Sequence, residues 1–327
     1  MDKITANMRK IAKAALANGE VDKIIGWKKG EFWQDTYPVF ITKENEAEDL
    51  VWDCFSVNNL SKYLIEQLKG NKKIGIFLKG CDSLGFNQLL KDHRIDRERV
   101  IIYGISCYGM IDPEKVRQEG LHHGLKEIKR SGDDLIFIRE DGEKRITGRQ
   151  FDYDKCLNCR YPNPVIYDKK LTDEVQREIN YQKRFDDVKE IEEMSYDERY
   201  DYWANQFSKC IRCYACRNVC PACSCEKCIF DNTKAGILGK AKVASEEQFY
   251  HIIRAYHVAG RCVDCGECSR VCPAGIPLDK LNHKIIKDIN ELYGEYEAGI
   301  NSDQDPPLLM YQLDDKDSFT GHGGGRK

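Results

Sequence analysis

Residues 73–90 read KIGIFLKGCDSLGFNQLL, and residues 97–110 read RERVIIYGISCYGM. In the first stretch the apolar run Ile74 to Leu78 has strand length, and after Lys79-Gly80 a helical pattern carries Leu84, Leu89 and Leu90. In the second, Val100 to Ile105 reads as the next strand. Strand, helix and strand in that order predict a right-handed βαβ unit. Such a unit places Cys81 and Cys107 at the carboxyl ends of parallel strands, the edge at which open α/β sheets bind ligands. A helix N-terminus beside Cys81 also favours its thiolate.

Further apolar runs at Val39 to Thr42 and Leu135 to Ile138 extend this pattern, so residues 1–170 read as an α/β domain with a mixed or parallel sheet. A helix is expected after Ser56, with Leu60, Tyr63, Leu64 and Leu68 on one face and Gly70 as its stop. Asp141-Gly142 marks a hairpin. Residues 171–205 are dense in charge and read as a helical linker. There Ser195 with Glu198 makes a capping box, and Tyr196, Tyr200, Trp203 and Phe207 are expected to form a packing face. Residues 206–290 hold most of the cysteines. Within them a helix opened by Ser245 with Gln248 should pack through Phe249, Ile252, Ile253 and Tyr256 and stop at Gly260. Residues 291–327 form an extended, polar, Pro/Gly-rich tail, expected to order only against a partner.

Sixteen of the 327 residues are cysteine. The opening MDKITANMRK has no apolar run behind it, so a cytoplasmic, reducing setting and metal ligation are expected rather than disulfides. Cys210-x2-Cys213-x2-Cys216-x3-Cys220-Pro221 and Cys262-x2-Cys265-x2-Cys268-x3-Cys272-Pro273 repeat the spacing of bacterial two-cluster ferredoxins. Three thiolates on a tight loop reach three irons of one cubane, and the fourth cysteine leaves for the other. Cys210, Cys213, Cys216 and Cys272 are therefore expected to hold one 4Fe–4S cluster, and Cys262, Cys265, Cys268 and Cys220 the second. Cys156-x2-Cys159, in a loop after the sheet, completes a third set with Cys81 and Cys107. The rival readings of Cys81 and Cys107 are buried core cysteines or a redox-active dithiol. Cys223, Cys225 and Cys228 in PACSCEKC are candidates for an extra site, or free thiols, and Cys54 reads as packing.

With 54 acidic and 51 basic residues, a net charge of −3 and no basic block, the chain is not expected to bind nucleic acid. No apolar run approaches the ~20 residues of a membrane span. No general acid, base or nucleophile constellation stands out.

The long helical spacer between the two cysteine runs resembles the helical type of dicluster ferredoxin found in electron-transfer subunits. KGCDSLGFNQLL, RERVIIYGISCYGM and KCLNCRYPNPVIYD (residues 155–168) together resemble the beta-subunit family of coenzyme F420 hydrogenases and formate dehydrogenases. The resemblance implies FAD beside one 4Fe–4S cluster in the α/β domain, with the family's cluster cysteines falling on Cys81, Cys107, Cys156 and Cys159. Deazaflavin-reducing members carry a Gly-Thr-Pro-Cys-type segment where this chain has Lys79-Gly80-Cys81-Asp82. No G-x-G-x-x-G run is present, so FAD rests on the resemblance, with Lys79, Gly80, Asp82 and Ser83 as the expected contacts. The expectation is an iron–sulfur, FAD-containing electron-transfer subunit with three clusters. It would serve an oxidoreductase of the formate dehydrogenase, hydrogenase or heterodisulfide-reductase-like type, with its other subunits and a soluble electron carrier as partners. A flavin-free iron–sulfur wire and a thiol–disulfide reductase using Cys81 and Cys107 are the alternatives.

Overall fold

The computed structural model describes residues 2–177, 184–232, 234–239 and 242–310. The chain opens with α1 (Asp2–Ala17), β1 (Lys23–Lys29) and β2 (Thr36–Ile41). The helix expected after Ser56 is a 3-10 turn, Ser61–Tyr63, running into one α-turn, α2 (Leu64–Gln67), and Gly70 follows in the left-handed region. Then come β3 (Ile74–Leu78), α3 (Gly80–Lys91) and β4 (Val100–Gly104), the βαβ unit read from the sequence. β3 and β4 are parallel with Ile74 opposite Val100, and the sheet order is β2-β1-β3-β4, closed by a two-residue β8 (Lys169–Lys170). Only β2 is antiparallel to its neighbour, so the sheet is mixed. Every residue of β3 is buried, as suits the central strand of a sheet covered on both faces.

After α4 (Pro113–Gln118), three antiparallel strands form a separate small sheet: β5 (Leu125–Ser131), β6 (Asp134–Arg139) and β7 (Gly142–Thr147). The β6–β7 hairpin turns at Glu140-Asp141, one residue before the expected pair, and Gly142, with φ 128°, opens β7 opposite Arg139. Cys54 is buried against this sheet, packing as expected and donating to the Ile128 carbonyl at 3.5 Å. A one-turn helix, α5 (Asp154–Leu157), then leads to the loop between Cys159 and β8.

The linker folds into α6 (Asp186–Glu192) and α7 (Tyr196–Ser208). The Ser195 capping box is present: the Glu198 N–H donates to Ser195 Oγ, and the Ser195 N–H donates to Glu198. Ser195→Ala should cost about 1 kcal/mol. Amide exchange across the first turn of α7 reads this out, and unchanged protection there would show the cap to be idle. Only half of the aromatic stripe packs. Phe207 is buried with Trp203 stacked on it, while Tyr196 and Tyr200 stay exposed on the turns nearer the helix start.

The cysteine-rich part contains α8 (Ala215–Asn218), α9 (Ala244–His257), α10 (Glu267–Arg270) and α11 (Leu278–Tyr293). Here the structure corrects two expectations. α9 begins at Ala244 behind Val243 with no side-chain cap, so Ser245 lies inside the helix. Its face is also reversed: Phe249, Ile252 and Tyr256 are exposed, while Glu247, Tyr250, His251, Arg254 and Ala255 are buried. Polar demands of the cysteine loops override the apolar pattern, as three inward contacts show. Glu247 accepts from Arg212, Tyr250 Oη meets Cys216 Sγ, and Arg254 donates to the Cys216 carbonyl.

Residues 294–300 differ from the expected free tail and fold back over α3. Tyr296 and Ala298 are buried, Asn87 Nδ2 donates to the Gly299 and Ile300 carbonyls, and Glu297 pairs with Arg160 and Arg184. Residues 311–327 lie outside the described residues.

Candidate iron–sulfur sites

Where β3 ends, Lys79 is extended and α3 begins at Gly80, so Cys81 sits in the helix's first turn. Where β4 ends, the Cys107 N–H donates to the Pro162 carbonyl at 2.8 Å, tying the loop after Cys159 to the strand end. α5 presents Cys156, and the Cys156 and Cys159 carbonyls accept from Arg149 and Arg177 at 2.6 Å each. Cys81, Cys107, Cys156 and Cys159 all line one cavity of about 920 Å³. Gly80 makes the close approach possible, because a Cβ there would run into the Tyr161 carbonyl.

Burial pushes the Cys81 and Cys156 thiols up and takes Cys107 up to about 12. A nucleophilic dithiol needs the reverse. Four half-buried thiols lining one cavity become thiolates in the company of bound cationic iron, so the donor set fits a cubane cluster. The Gly109 N–H is already directed at Cys107 Sγ at 3.4 Å.

Of the residues expected to contact flavin, Lys79 and Gly80 line this cavity. Lys79 is 2% exposed and already engaged: Nζ lies 2.9 Å from Asp82, 2.7 Å from the Asn58 carbonyl and over the Trp27 ring. Asp82 and Ser83 are buried behind the wall, and Ser83 Oγ donates to the Gly80 carbonyl while accepting from the Val165 N–H.

The two ferredoxin-type runs fold alike. Arg212 and Tyr214, two and four residues after Cys210, have φ of 51° and 59°; Asp264 and Gly266, two and four after Cys262, have 54° and 63°. Three of these four are not glycine, in a region other residues seldom enter. Each pair of left-handed residues bends the loop round a common centre before a one-turn helix, and the Arg212 N–H reaches Cys210 Sγ at 3.3 Å. Cys220, Cys262, Cys265 and Cys268 line a second, smaller cavity, so the fourth cysteine of the first run stands with three of the second. Cys210, Cys216 and Cys272 share a core cluster with Tyr250, and Cys213 is exposed beside them.

Among the described residues, no group of three or more His, Cys, Asp or Glu is gathered closely enough for a single metal ion. Cys223 packs beside Cys220 and Cys262 and shares a hydrogen bond with the Cys220 thiol. Cys225 is exposed, and Cys228 bonds Arg217.

The sites adjoin. The Lys155 stem, next to Cys156, crosses Gly266, where a Cβ would fall 2.7 Å from it. Its ammonium pairs with Glu267, which also binds Arg270 at 2.7 Å. Cys265 and Cys272 line the same large cavity as the α/β cysteines. Sequence reading missed Lys155, Glu267 and Arg254. The first two had a signal, as charged residues placed directly beside ligand-type cysteines.

Comparison with known proteins bears on these sites. Residues 206–276 match the 4Fe–4S dicluster domain. The chain is 24% identical to the F420-dependent formate dehydrogenase subunit beta of Methanocaldococcus jannaschii, over 88% of this chain and 90% of that protein. It is also 24% identical to the F420-dependent formate dehydrogenase 1 subunit beta of Methanococcus maripaludis, over 91% of each. A chain of the F420-reducing NiFe hydrogenase complex from Methanosarcina barkeri aligns with 15% identity and a TM-score of 0.39, covering 51% of this chain and 61% of that one. The resemblance drawn from three short motifs thus extends over nearly the whole chain, and the ferredoxin-type pair is a recognised dicluster domain. No helix among the described residues is long and apolar enough to cross a membrane.

Proposed function

We propose that this chain is the iron–sulfur electron-transfer subunit of a multi-subunit oxidoreductase of the formate dehydrogenase or hydrogenase type. It would hold three 4Fe–4S clusters and one FAD and act in the cytoplasm. The observation that carries this reading is the docking of the Cys156 loop on the Cys265 loop through Lys155, Gly266 and Glu267. That contact sets the α/β cysteines beside the second ferredoxin-type set, and Cys220 and Cys272 interleave the second set with the first. The order is that of a relay ending near exposed Cys213.

When bound, the clusters supply one-electron relay sites and FAD supplies two-electron exchange with a soluble carrier. The chain's own residues exclude water from the inner sites and direct N–H groups at sulfur. Asn282 Nδ2 adds such a contact to Cys268 Sγ at 3.6 Å, and contacts of this kind tune potential. We assign FAD to the large cavity, beside Cys81, with the Lys79-Gly80 segment at its wall and Tyr153 and Tyr161 among its lining. Asp82 and Ser83 are spent inside the protein and support that wall from behind.

The anaerobic chain should carry about twelve irons and release about one flavin on acid treatment. Cys159→Ser should lower iron to about eight and remove one EPR signal while the coupled ferredoxin pair remains. Iron near eight in the unmodified chain would return Cys81 and Cys107 to core packing, and a flavin ratio near zero would leave an iron–sulfur wire.

A further inference from the structure

α9 turns its polar side inward, and at the centre of that side is Arg254, 3% exposed. Its guanidinium donates to the Cys216 carbonyl at 3.2 Å, and Nε has no partner. Other buried cations are matched by carboxylates: Lys79 by Asp82, Arg130 by Asp152, Lys155 by Glu267 and Arg184 by Glu297. Among the described residues no carboxylate pairs with Arg254. Burial works against its charge, and the groups that favour it are Cys268, Cys220 and Cys216, drawn from both ferredoxin-type sets, together with Cys223, which belongs to neither. Lys62, which donates to the Cys223 carbonyl, is only half-buried. Arg212 is taken up by Glu246 and Glu247, and burial, then Arg254 itself, holds His251 down at about 4, so it is neutral at pH 7.

An unpaired buried cation is costly unless something anionic comes to it. A cubane ligated by four thiolates is anionic, and Arg254 stands where two of them would meet. We propose that Arg254 is the fixed charge that raises the reduction potentials of both ferredoxin-type clusters. Reduction adds one electron and no proton to a cluster, so a fixed cation in low dielectric favours the reduced form at each site. This rests on the relay reading of the two cysteine runs.

The test is a mediator titration followed by EPR on the full, cluster-loaded chain, comparing Arg254→Gln and Arg254→Lys. Arg254→Gln should make both ferredoxin signals about tenfold harder to reduce, ~59 mV more negative for one electron. Arg254→Lys should stay within about threefold of the parent, and the α/β-site signal should not move. Unchanged midpoints in Arg254→Gln overturn the proposal, as does a lysine variant that shifts as far as glutamine. If Arg254→Gln takes up no iron in this domain while Arg254→Lys does, the requirement for charge is upheld; if both fail alike, shape rather than charge is at issue and the proposal falls. An iron-free parent chain would instead sink the relay reading on which it stands.

Discussion

Glu267→Ala should destabilise the chain by about 3–5 kcal/mol, the usual result of leaving buried partners uncompensated. Glu267 is 1% exposed and receives Lys155, Arg270 and, at 3.4 Å, the Asn59 N–H. Its removal would leave two cations facing each other beside the Cys156 and Cys265 loops. Although burial pushes its carboxyl upward, Lys155 and Arg270 hold it well below the usual carboxylate range. A depressed folded-state pKa contributes stability that is present above the unfolded value of ~4.3 and lost only as pH falls through the lower folded value. The loss on Glu267→Ala should therefore be the same at pH ~6 as at pH ~8. Anaerobic urea unfolding reads it, and a cycle with Lys155→Met should give a coupling of about 0.5–3 kcal/mol. A penalty below ~1 kcal/mol, or no coupling, would mean the junction is solvated and does not fix the distance between sites.

What sequence reading reached here, it reached where one physical rule acts alone. Ile74 to Leu78 is buried on both faces and so reads as a continuous apolar run. The cysteine runs are legible because cubane geometry dictates their spacing. β1, KIIGWKK, escaped because charges at its ends break the apolar signal, although Ile24, Ile25 and Trp27 are fully buried. The α9 face was misread because apolar periodicity assumes an apolar neighbour, and this helix faces thiols and a guanidinium. The Lys155–Glu267 junction joins residues 112 positions apart, a pairing no local pattern encodes. The same holds for Glu297 with Arg160 and Arg184, which pins a stretch too polar to look like core.

Gly80→Ala should disable the α/β site while sparing the ferredoxin pair. Gly80 is not in the left-handed region and sits in the first turn of α3, where alanine is by itself the better helix former by up to ~1 kcal/mol. The sign is decided by space. A Cβ there would collide with the Tyr161 carbonyl and stand 3.0 Å from that of Asn163, and both are backbone atoms that cannot rotate away. Their loop is held on three sides: Pro162 accepts from Cys107, Asn163 exchanges two bonds with Val175, and the Val165 N–H donates to Ser83 Oγ. Relief must come from displacing the segment that carries Cys159, at about 1–3 kcal/mol of overpacking. Since a cubane needs all four thiolates in place, about four of twelve irons should be lost, with the coupled EPR signals of the ferredoxin pair intact. Full iron content in Gly80→Ala, at the parent's unfolding midpoint, would show that the loop has room to move and that contact with α3 does not position Cys159.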